Sequence, residues 1–494
     1  MNLIIYILVP LLTGVLLLPF SKQQQVRRIA LAGSLLQFIL SLLLLFLYRQ
    51  ERAAGNSSSL LFEQNIALFP SLNINWHVGV DGISLAMLLL TSFVVLAAVL
   101  VSWRVDKMTR EFFFLLMLLS LGAYGFFISF DLFVLFFFLE LAVIPKYLLI
   151  GIWGSGAKEA SANKLALMLM GGSALVLVGL LGLYFLQTPE ARSFDLINLS
   201  GINISRSNQL VLFPLLFLGF GVFGALFPFH TWVPDGHSSA PTAGSMFLAG
   251  ISMKLGGYGC LRVASLLLPE AVQYYAPYII FLSAIAILYG AFATMMQKDL
   301  KYINAYSSVS HCGFVLLGIG MLTKTALTGA VIQMLSHGLM TALFFAVIGM
   351  IYDRTHTRLL AELGGLMKVM PFIMTILFIV GFCSLGLPGL SGFAAEMLVF
   401  MGSWQHADTF YRVITIAACM SIVVTAVYIL RSVGKTAMGP IKSGFLSLGD
   451  ARWNERAAAV LLLAGILVIG LAPFWLVDLV SPGTETIINR LAGK

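Results

Sequence analysis

The stretch GFCSLGLPGLSGF, residues 381–393, interrupts a long apolar run with glycines and a central proline, Pro388. An earlier apolar run carries a similar interruption, GFGVFGALFPFH at residues 219–230, with Pro228. A proline inside a helix removes a backbone hydrogen bond and clashes with the preceding turn. At membrane depth, freed backbone groups are tolerated where they line a polar cavity or a substrate path. The sequence therefore predicts two broken membrane helices with hinges at Pro228 and Pro388.

The composition predicts that nearly the whole chain lies in a bilayer. Of 494 residues, 60% are hydrophobic and only 10% charged, with a mean hydropathy of +0.97. This excludes a large soluble catalytic domain and a single-span receptor. We predict an all-α polytopic membrane protein with about 14 transmembrane helices, at 2–20, 26–48, 82–103, 111–129, 131–152, 163–187, 208–229, 243–268, 275–297, 301–322, 325–352, 369–402, 409–431 and 456–480.

The two interruptions fall in predicted spans 7 and 12, five spans apart. A five-helix unit repeated over spans 4–8 and 9–13 would place them at equivalent positions, and its odd number of helices inverts the second copy. The expected organisation is an N-terminal part with an outer loop, a first repeat, a second inverted repeat, and a surface connector with the last span: 1–110, 111–268, 269–431 and 432–494.

The loops predict the orientation in the membrane. The loops after odd-numbered spans contain eighteen Lys and Arg residues, and the opposite loops with the tail contain nine. The remaining two, Lys146 and Lys254, lie inside spans. The positive-inside rule then puts both termini outside, in a prokaryotic inner membrane. It also explains the net charge of +8, so no nucleic-acid partner is expected. LNINWHV, residues 72–78, predicts a short outer β-hairpin, and 432–456 a connector along the membrane surface.

A short set of ionisable residues is predicted inside the spans: Glu140, Lys146, Lys254, His311, His337 and Glu396. Such groups are costly in a membrane and are functional candidates by default. Titratable groups on several helices are what a proton relay needs, because each can hold and release a proton. The alternative is static: Glu140 and Lys254 as an ion pair, and each histidine as a satisfied core residue.

The segment PFHTWVPDGHSSAPTAGS, residues 228–245, carries His230, Asp235 and His237. These residues are possible metal ligands, but no fourth ligand follows at a recognisable spacing, so we expect no metal. The simpler interpretation is a polar hinge that closes the seventh helix and begins the eighth. The four cysteines lie in apolar stretches without Cys-x-x-Cys spacing, which indicates neither a disulfide framework nor an iron–sulfur cluster.

Several motifs resemble the antiporter-like subunits of respiratory complex I, most closely the chain M type that is similar to mitochondrial subunit four. The resemblance covers nearly the whole chain. It rests on FFFLELAVIPKYLLIGIWG (136–154), PFHTWVPDGHSSAPTAGSMFLAGISMKLGGYGCLR (228–262), KDLKYINAYSSVSHCGFVLLGI (298–319), IQMLSHGLMTALFF (332–345), YDRTHTR (352–358) and LGLPGLSGFAAE (385–396).

The resemblance implies a 14-helix proton-translocating subunit in the membrane arm of NADH:quinone oxidoreductase. In the family, a span 5 glutamate pairs with a span 7 lysine, and a span 8 lysine connects through histidines to a charged residue of span 12. The residues at these positions are Glu140, Lys254, His311, His337 and Glu396. The span 7 lysine is missing, because Phe223 occupies its place. Our hypothesis is that Lys146 replaces it.

The same resemblance implies no cofactor in this chain, with FMN, iron–sulfur clusters, NADH and quinone in partner subunits. The expected partners are the neighbouring membrane-arm chains and lipids, and the transported species is the proton. Two alternatives stay open on the sequence: the large subunit of a multi-subunit Na⁺/H⁺ antiporter, which shares these motifs, and a structural membrane scaffold with static ion pairs.

Overall fold

The computed structural model describes residues 1–493, which form twenty α-helices and one β-hairpin. The helices are α1 Ile5–Leu17, α2 Gln23–Ala53, α3 Gly82–Val101, α4 Thr109–Ile128, α5 Leu132–Leu141, α6 Val143–Trp153, α7 Lys158–Phe185, α8 Leu196–Gly201, α9 Arg206–Phe223, α10 Trp232–Ser239, α11 Thr242–Phe247, α12 Met253–Gly259, α13 Pro269–Met296, α14 Leu300–Gly320, α15 Lys324–Thr355, α16 Pro371–Ser384, α17 Ser391–Trp404, α18 Thr409–Ala437, α19 Trp453–Leu471 and α20 Phe474–Leu491.

Every predicted span coincides with a helix or a pair of helices. Within the described residues, ten helical stretches are long and apolar enough to cross a membrane, and α1 and α16 are shorter apolar helices. An apolar polytopic bundle is therefore confirmed, while the number of fourteen spans stays a prediction.

Buried aspartates begin several helices. The Asp131 carboxylate, for example, accepts hydrogen bonds from the backbone N–H groups of Phe133 and Val134 at the start of α5.

The bundle has buried central helices and lipid-facing outer ones. In the most apolar 18-residue stretch of α15, 100% of the residues are buried, and in that of α3 94% are buried. In the corresponding stretch of α2 only 28% are buried. Helices α3 and α15 therefore form the centre of the bundle. The relay residues described below project from α15 and from three helices packed against it, α12, α14 and α17.

The predicted hairpin is present and longer than expected. Strand β1, Leu61–Phe69, pairs antiparallel with β2, Ile74–Val80. The His77 ring lies between the carboxylates of Glu63 and Asp195, and its Nε2 is 2.9 Å from Oε1 of Glu63. These contacts fasten the hairpin to the start of α8. We call the end of the bundle that carries the hairpin the hairpin face.

Both predicted helix breaks are confirmed. Helix α9 ends at Phe223, and irregular backbone around Pro228 separates it from α10. Helix α16 ends at Ser384, and α17 begins at Ser391 after the turn around Pro388. A third break, between α5 and α6 at Ala142, lies just before Pro145.

The C-terminal region differs from the prediction. The last span was expected over 456–480, but α19 ends at Leu471 and α20 is a separate helix. Lys324 and Glu485 form an ion pair, and the Arg490 guanidinium donates to the Ile202 carbonyl, so α20 lies along the hairpin face. The expected connector is also shorter, because α18 continues to Ala437. The proline after α19, Pro473, ends the apolar helix where the amphipathic one begins.

Candidate functional site: a chain of buried polar groups

Lys254 occupies a distorted part of the eighth predicted span. It lies on the short helix α12 between two π-helical segments, Leu248–Ser252 and Cys260–Ser265. A π-helical turn frees backbone carbonyls from the regular pattern, and the Lys254 ammonium group donates to one of them, the Ala249 carbonyl. The side chain is only 1% exposed. The helix distortion thus supplies one of the hydrogen-bond acceptors that a buried ammonium group requires.

Four predicted relay residues lie next to one another in a row, called the relay chain below. Lys254 Nζ lies 2.7 Å from His337 Nδ1 on α15, and the ring centroids of His337 and His311 are 5.5 Å apart. His311, on α14, has its Nδ1 3.3 Å from Oε1 of Glu396 on α17. All four side chains are buried. The local sequence pattern marks each of these residues separately and the resemblance implies their connection; the fold brings them together across four helices.

The break between α16 and α17 positions the far end of the relay chain. Gly386 has φ +76°, a left-handed conformation that glycine adopts without steric cost. A side chain at this position would also come within 2.9 Å of Oε2 of Glu396. The turn therefore requires glycine, and the missing side chain leaves the space in which the Glu396 carboxylate lies. The broken helix makes room for Glu396.

Two further polar side chains support the relay chain and were missed in the sequence. Ser384, the last residue of α16, has its hydroxyl 3.1 Å from Nε2 of His311. The amide of Gln333, one turn before His337 on α15, lies 3.4 Å from Nδ1 of His311. The spacing of Gln333 and His337 on one helix face was the only signal that could have found either residue.

Glu140 and Lys146 lie apart from the relay chain, and Lys146 lies beside the end of α9. Lys146 is 2% exposed, and its Nζ lies 5.9 Å from the ring centroid of Phe223. Within residues 1–493, neither Lys146 Nζ nor Oε1 of Glu140 has a hydrogen-bond partner, although both atoms are buried. We call Glu140, Lys146 and Phe223 the lysine pocket. The ammonium group thus reaches the residue that stands where a span 7 lysine was expected.

The lysine pocket adjoins the relay chain through glycines. Phe223 ends α9, and the next residue, Gly224, packs against Gly256 of α12 so closely that a Cβ on Gly256 would collide with the Gly224 backbone. Lys254 lies two residues before Gly256 on the same short helix. The two groups of buried charges are therefore on neighbouring segments, separated by a glycine–glycine contact.

The residues considered as metal ligands do not come together. Asp235 forms an ion pair with Lys164 at 2.7 Å, His230 stacks against Phe227, and His237 stacks against Phe345. Across residues 1–493, no group of three His, Cys, Asp or Glu side chains is arranged to hold a metal ion. The segment instead forms the polar connection between α9 and α11.

The sequence also misplaced one charge. Arg262 lies inside the predicted eighth span, 243–268, but was included among the nine charges assigned to the opposite loops and the tail. Its side chain is buried, 5% exposed, and paired with Asp81 at the start of α3. Its partner comes from a distant part of the chain, so only the packing against α3 reveals the pair.

Comparison with known proteins agrees with this architecture. Residues 129–421 match the family described as NADH:quinone oxidoreductase/Mrp antiporter, TM. A NAD(P)H-quinone oxidoreductase chain 4 from Microcystis aeruginosa is 39% identical, over 94% of this chain and 89% of that protein. The chloroplastic chain 4 from Angiopteris evecta is 37% identical, over 98% of each.

Solved structures show the same fold. A chain of respiratory complex I from Thermus thermophilus with bound NADH superposes with a TM-score of 0.90 at 27% identity, over 99% of each chain. A chain of the Mrp complex from Dietzia sp. superposes with a TM-score of 0.87 over 99% and 98%, but at 19% identity it shows the fold alone. The chain therefore belongs to the NADH:quinone oxidoreductase/Mrp antiporter family of membrane proteins.

Proposed function

We propose that this chain is a proton-translocating membrane-arm subunit of NADH:quinone oxidoreductase. The observation that carries the proposal is the relay chain, in which Lys254, His337, His311 and Glu396 connect four helices inside an apolar bundle. Buried titratable groups that lie this close together on several helices are able to pass protons, whereas a static scaffold gains little from a row of them. The curated chain 4 relatives support the assignment to this enzyme.

In this proposal the redox chemistry takes place in partner subunits, which hold FMN, the iron–sulfur clusters, NADH and quinone. The energy released there shifts the charge of the lysine pocket, where Glu140 and Lys146 lie without hydrogen-bond partners among the described residues. A change of charge beside α9 alters how strongly Lys254 holds its proton. The proton then moves along the imidazoles of His337 and His311 toward Glu396.

Each group in the relay chain has a definite task. Lys254 holds a proton between the Ala249 carbonyl and Nδ1 of His337. A neutral imidazole accepts a proton on one ring nitrogen and donates from the other, so the histidines carry it between helices. Glu396 accepts the proton beside the break between α16 and α17. Ser384 and Gln333 orient the His311 ring.

The lysine of the pocket is part of the proposal. We infer that Lys146 replaces the span 7 lysine that Phe223 displaces, because its ammonium group ends beside the Phe223 ring. A buried ammonium group over an aromatic face is held by the ring quadrupole. In this proposal Lys146, on α6, supplies the positive charge that acts on Glu140, on α5.

The proposal also covers the division of the chain into repeats and its orientation in the membrane. The matching breaks of α9–α10 and α16–α17 support two inverted five-helix repeats at 111–268 and 269–431, flanked by 1–110 and 432–494. The loop charges support a prokaryotic inner membrane with the hairpin face outside. The expected partners are neighbouring membrane-arm chains and lipids.

The test uses the whole enzyme in proteoliposomes. Glu140→Gln removes the pocket's negative charge and keeps its shape, so we expect NADH-driven acidification to fall severalfold while the enzyme assembles normally. Glu159→Gln, an exposed glutamate at the start of α7, is the control and should pump normally. Normal pumping by Glu140→Gln would refute the proposal, and sodium-dependent proton exchange without NADH would favour the Na⁺/H⁺ antiporter instead.

A further inference from the structure

A second row of buried polar groups lies between the helix that carries Lys254 and the hairpin face. Tyr258 and Arg262 follow Lys254 at intervals of four residues, which places the three on one side of the same helical segment. Tyr258 is 0% exposed and Arg262 5% exposed. The relay chain uses neither side chain.

Hydroxyl groups continue this row onto α3. The Tyr258 hydroxyl lies 3.0 Å from the Ser84 hydroxyl, and either can donate. Ser84 lies in the first turn of α3, where its backbone N–H donates to Oδ1 of Asp81 at 2.9 Å. The other oxygen of Asp81 accepts from the Arg262 guanidinium. The row therefore ends at a buried carboxylate and guanidinium pair.

This pair lines a cavity of about 320 Å³. The cavity is also lined by Arg52 and Ser58 near the hairpin, Ser200 of α8 and Thr486 of α20, all at the hairpin face. It has room for several water molecules, since one needs roughly 30 Å³. Within residues 1–493, Nε of Arg262 is buried without a hydrogen-bond partner, which leaves a polar atom for water at the cavity wall.

We propose that Tyr258, Ser84 and the Asp81–Arg262 pair form a proton-release branch from Lys254 to the cavity at the hairpin face. The Lys254 ammonium group loses a proton to the Tyr258 hydroxyl oxygen, directly or through water, as Tyr258 passes its own proton to Ser84. Ser84 in turn passes its proton to a carboxylate oxygen of Asp81. Asp81 releases it to cavity water, and the hydroxyls rotate back.

Arg262 acts as a positioning residue in this branch. Its Cζ lies 5.1 Å from the ring centroid of Phe130 and 6.0 Å from that of Tyr258, so two aromatic faces hold the guanidinium beside Asp81. The guanidinium in turn keeps the Asp81 carboxylate at the cavity wall, where the row ends. The branch rests on the proposed function, because it takes its proton from Lys254.

The first test removes one hydroxyl. Tyr258→Phe keeps the ring and the ion pair, so we expect normal assembly and a fall in NADH-driven pumping of roughly threefold or more, because positioned proton donors contribute strongly to transfer rates. Tyr124→Phe is the matched control: its hydroxyl is buried without a partner among the described residues, and pumping should not change. Lys254→Met is measured in parallel.

The parallel variant separates the two proposals. If Lys254→Met fails to pump and Tyr258→Phe pumps normally, the branch is overturned and the proposed function stands. If both pump normally, both are overturned.

The second test needs no change to an aromatic residue. Ser200→Cys, at the cavity, and Ser207→Cys, exposed outside it, are labelled from the hairpin side with a membrane-impermeant, negatively charged methanethiosulfonate. Labelling should slow pumping in Ser200→Cys and leave Ser207→Cys unchanged, each compared with its own unlabelled sample. Complete labelling of Ser200→Cys without any loss of pumping would overturn the branch, whether or not Tyr258→Phe assembles.

Discussion

The relay chain and the lysine pocket each contain a buried lysine and a glutamate, but the lysine is hydrogen-bonded in the first and has no hydrogen-bond partner in the second. In the relay chain, Lys254 has two acceptors and connects to His337, and the chain continues to Glu396. In the lysine pocket, the Lys146 ammonium group lies over Phe223 without a hydrogen-bond partner in the described part of the chain. Hydrogen-bonded groups are suited to proton transfer. A buried charge without a hydrogen-bond partner is suited to changing the proton affinity of nearby groups through its electrostatic field.

The largest effect is expected at Lys254. Lys254→Met removes the first group of the relay chain, so NADH-driven pumping in proteoliposomes should fall roughly tenfold or more. Lys435→Met, an exposed lysine near the end of α18, should pump normally. If the Lys254→Met enzyme assembles and pumps at the normal rate, the relay chain does not transfer protons and does not differ from the lysine pocket in this role.

A smaller loss is expected at Lys146. Lys146→Met takes the positive charge from the lysine pocket but leaves the relay chain intact, so pumping should fall about threefold. The double variant Lys146→Met/Phe223→Lys returns a lysine to the pocket from α9 and should recover most of the loss. Unchanged pumping by Lys146→Met would show that Lys146 has no role as a replacement. The same pumping assay measures each variant.

The contact between the two regions can be tested at Gly256. Gly256→Ala forces a methyl group against the Gly224 backbone, and such overpacking costs about 1–3 kcal/mol. We expect less assembled complex on native gels and a lower thermal midpoint. The control is Gly151→Ala on α6, where a Cβ meets nothing within 4 Å. Equal yields of both variants would mean that α9 and α12 are not held by this contact.

The smallest effect is expected at the hairpin, outside both regions. Burial alone lowers the pKa of His77, but the carboxylates of Asp195 and Glu63 outweigh it, so the pKa is raised above 6.5. A raised pKa means that this stabilisation is complete below pH 6.5 and is lost as pH rises through the pKa of the folded state.

Hydrogen exchange measures this loss. Between pH 6 and pH 8, exchange of hairpin amides, corrected for intrinsic rates, should become about twofold faster. His77→Asn should abolish the pH dependence, and His356→Asn, at an exposed helix end, should retain it. A pH-independent hairpin in the unmodified protein would contradict the role of His77.

The sequence by itself determined the membrane class, the positions of the apolar helices, the two breaks and the set of ionisable residues inside the apolar runs. These follow from local properties: hydropathy, the effect of proline on a helix, and the cost of a charge in an apolar run. The relay residues were therefore recognisable one at a time.

Tertiary structure alone decided which of those residues meet. Packing of α12, α14, α15 and α17 aligns Lys254, His337, His311 and Glu396, and the fold brings the Lys146 ammonium group to the Phe223 ring. It also buries Arg262 against Asp81 and turns the end of the predicted last span into α20. Contacts between residues far apart in the chain depend on how helices pack, and hydropathy along one segment does not contain that information.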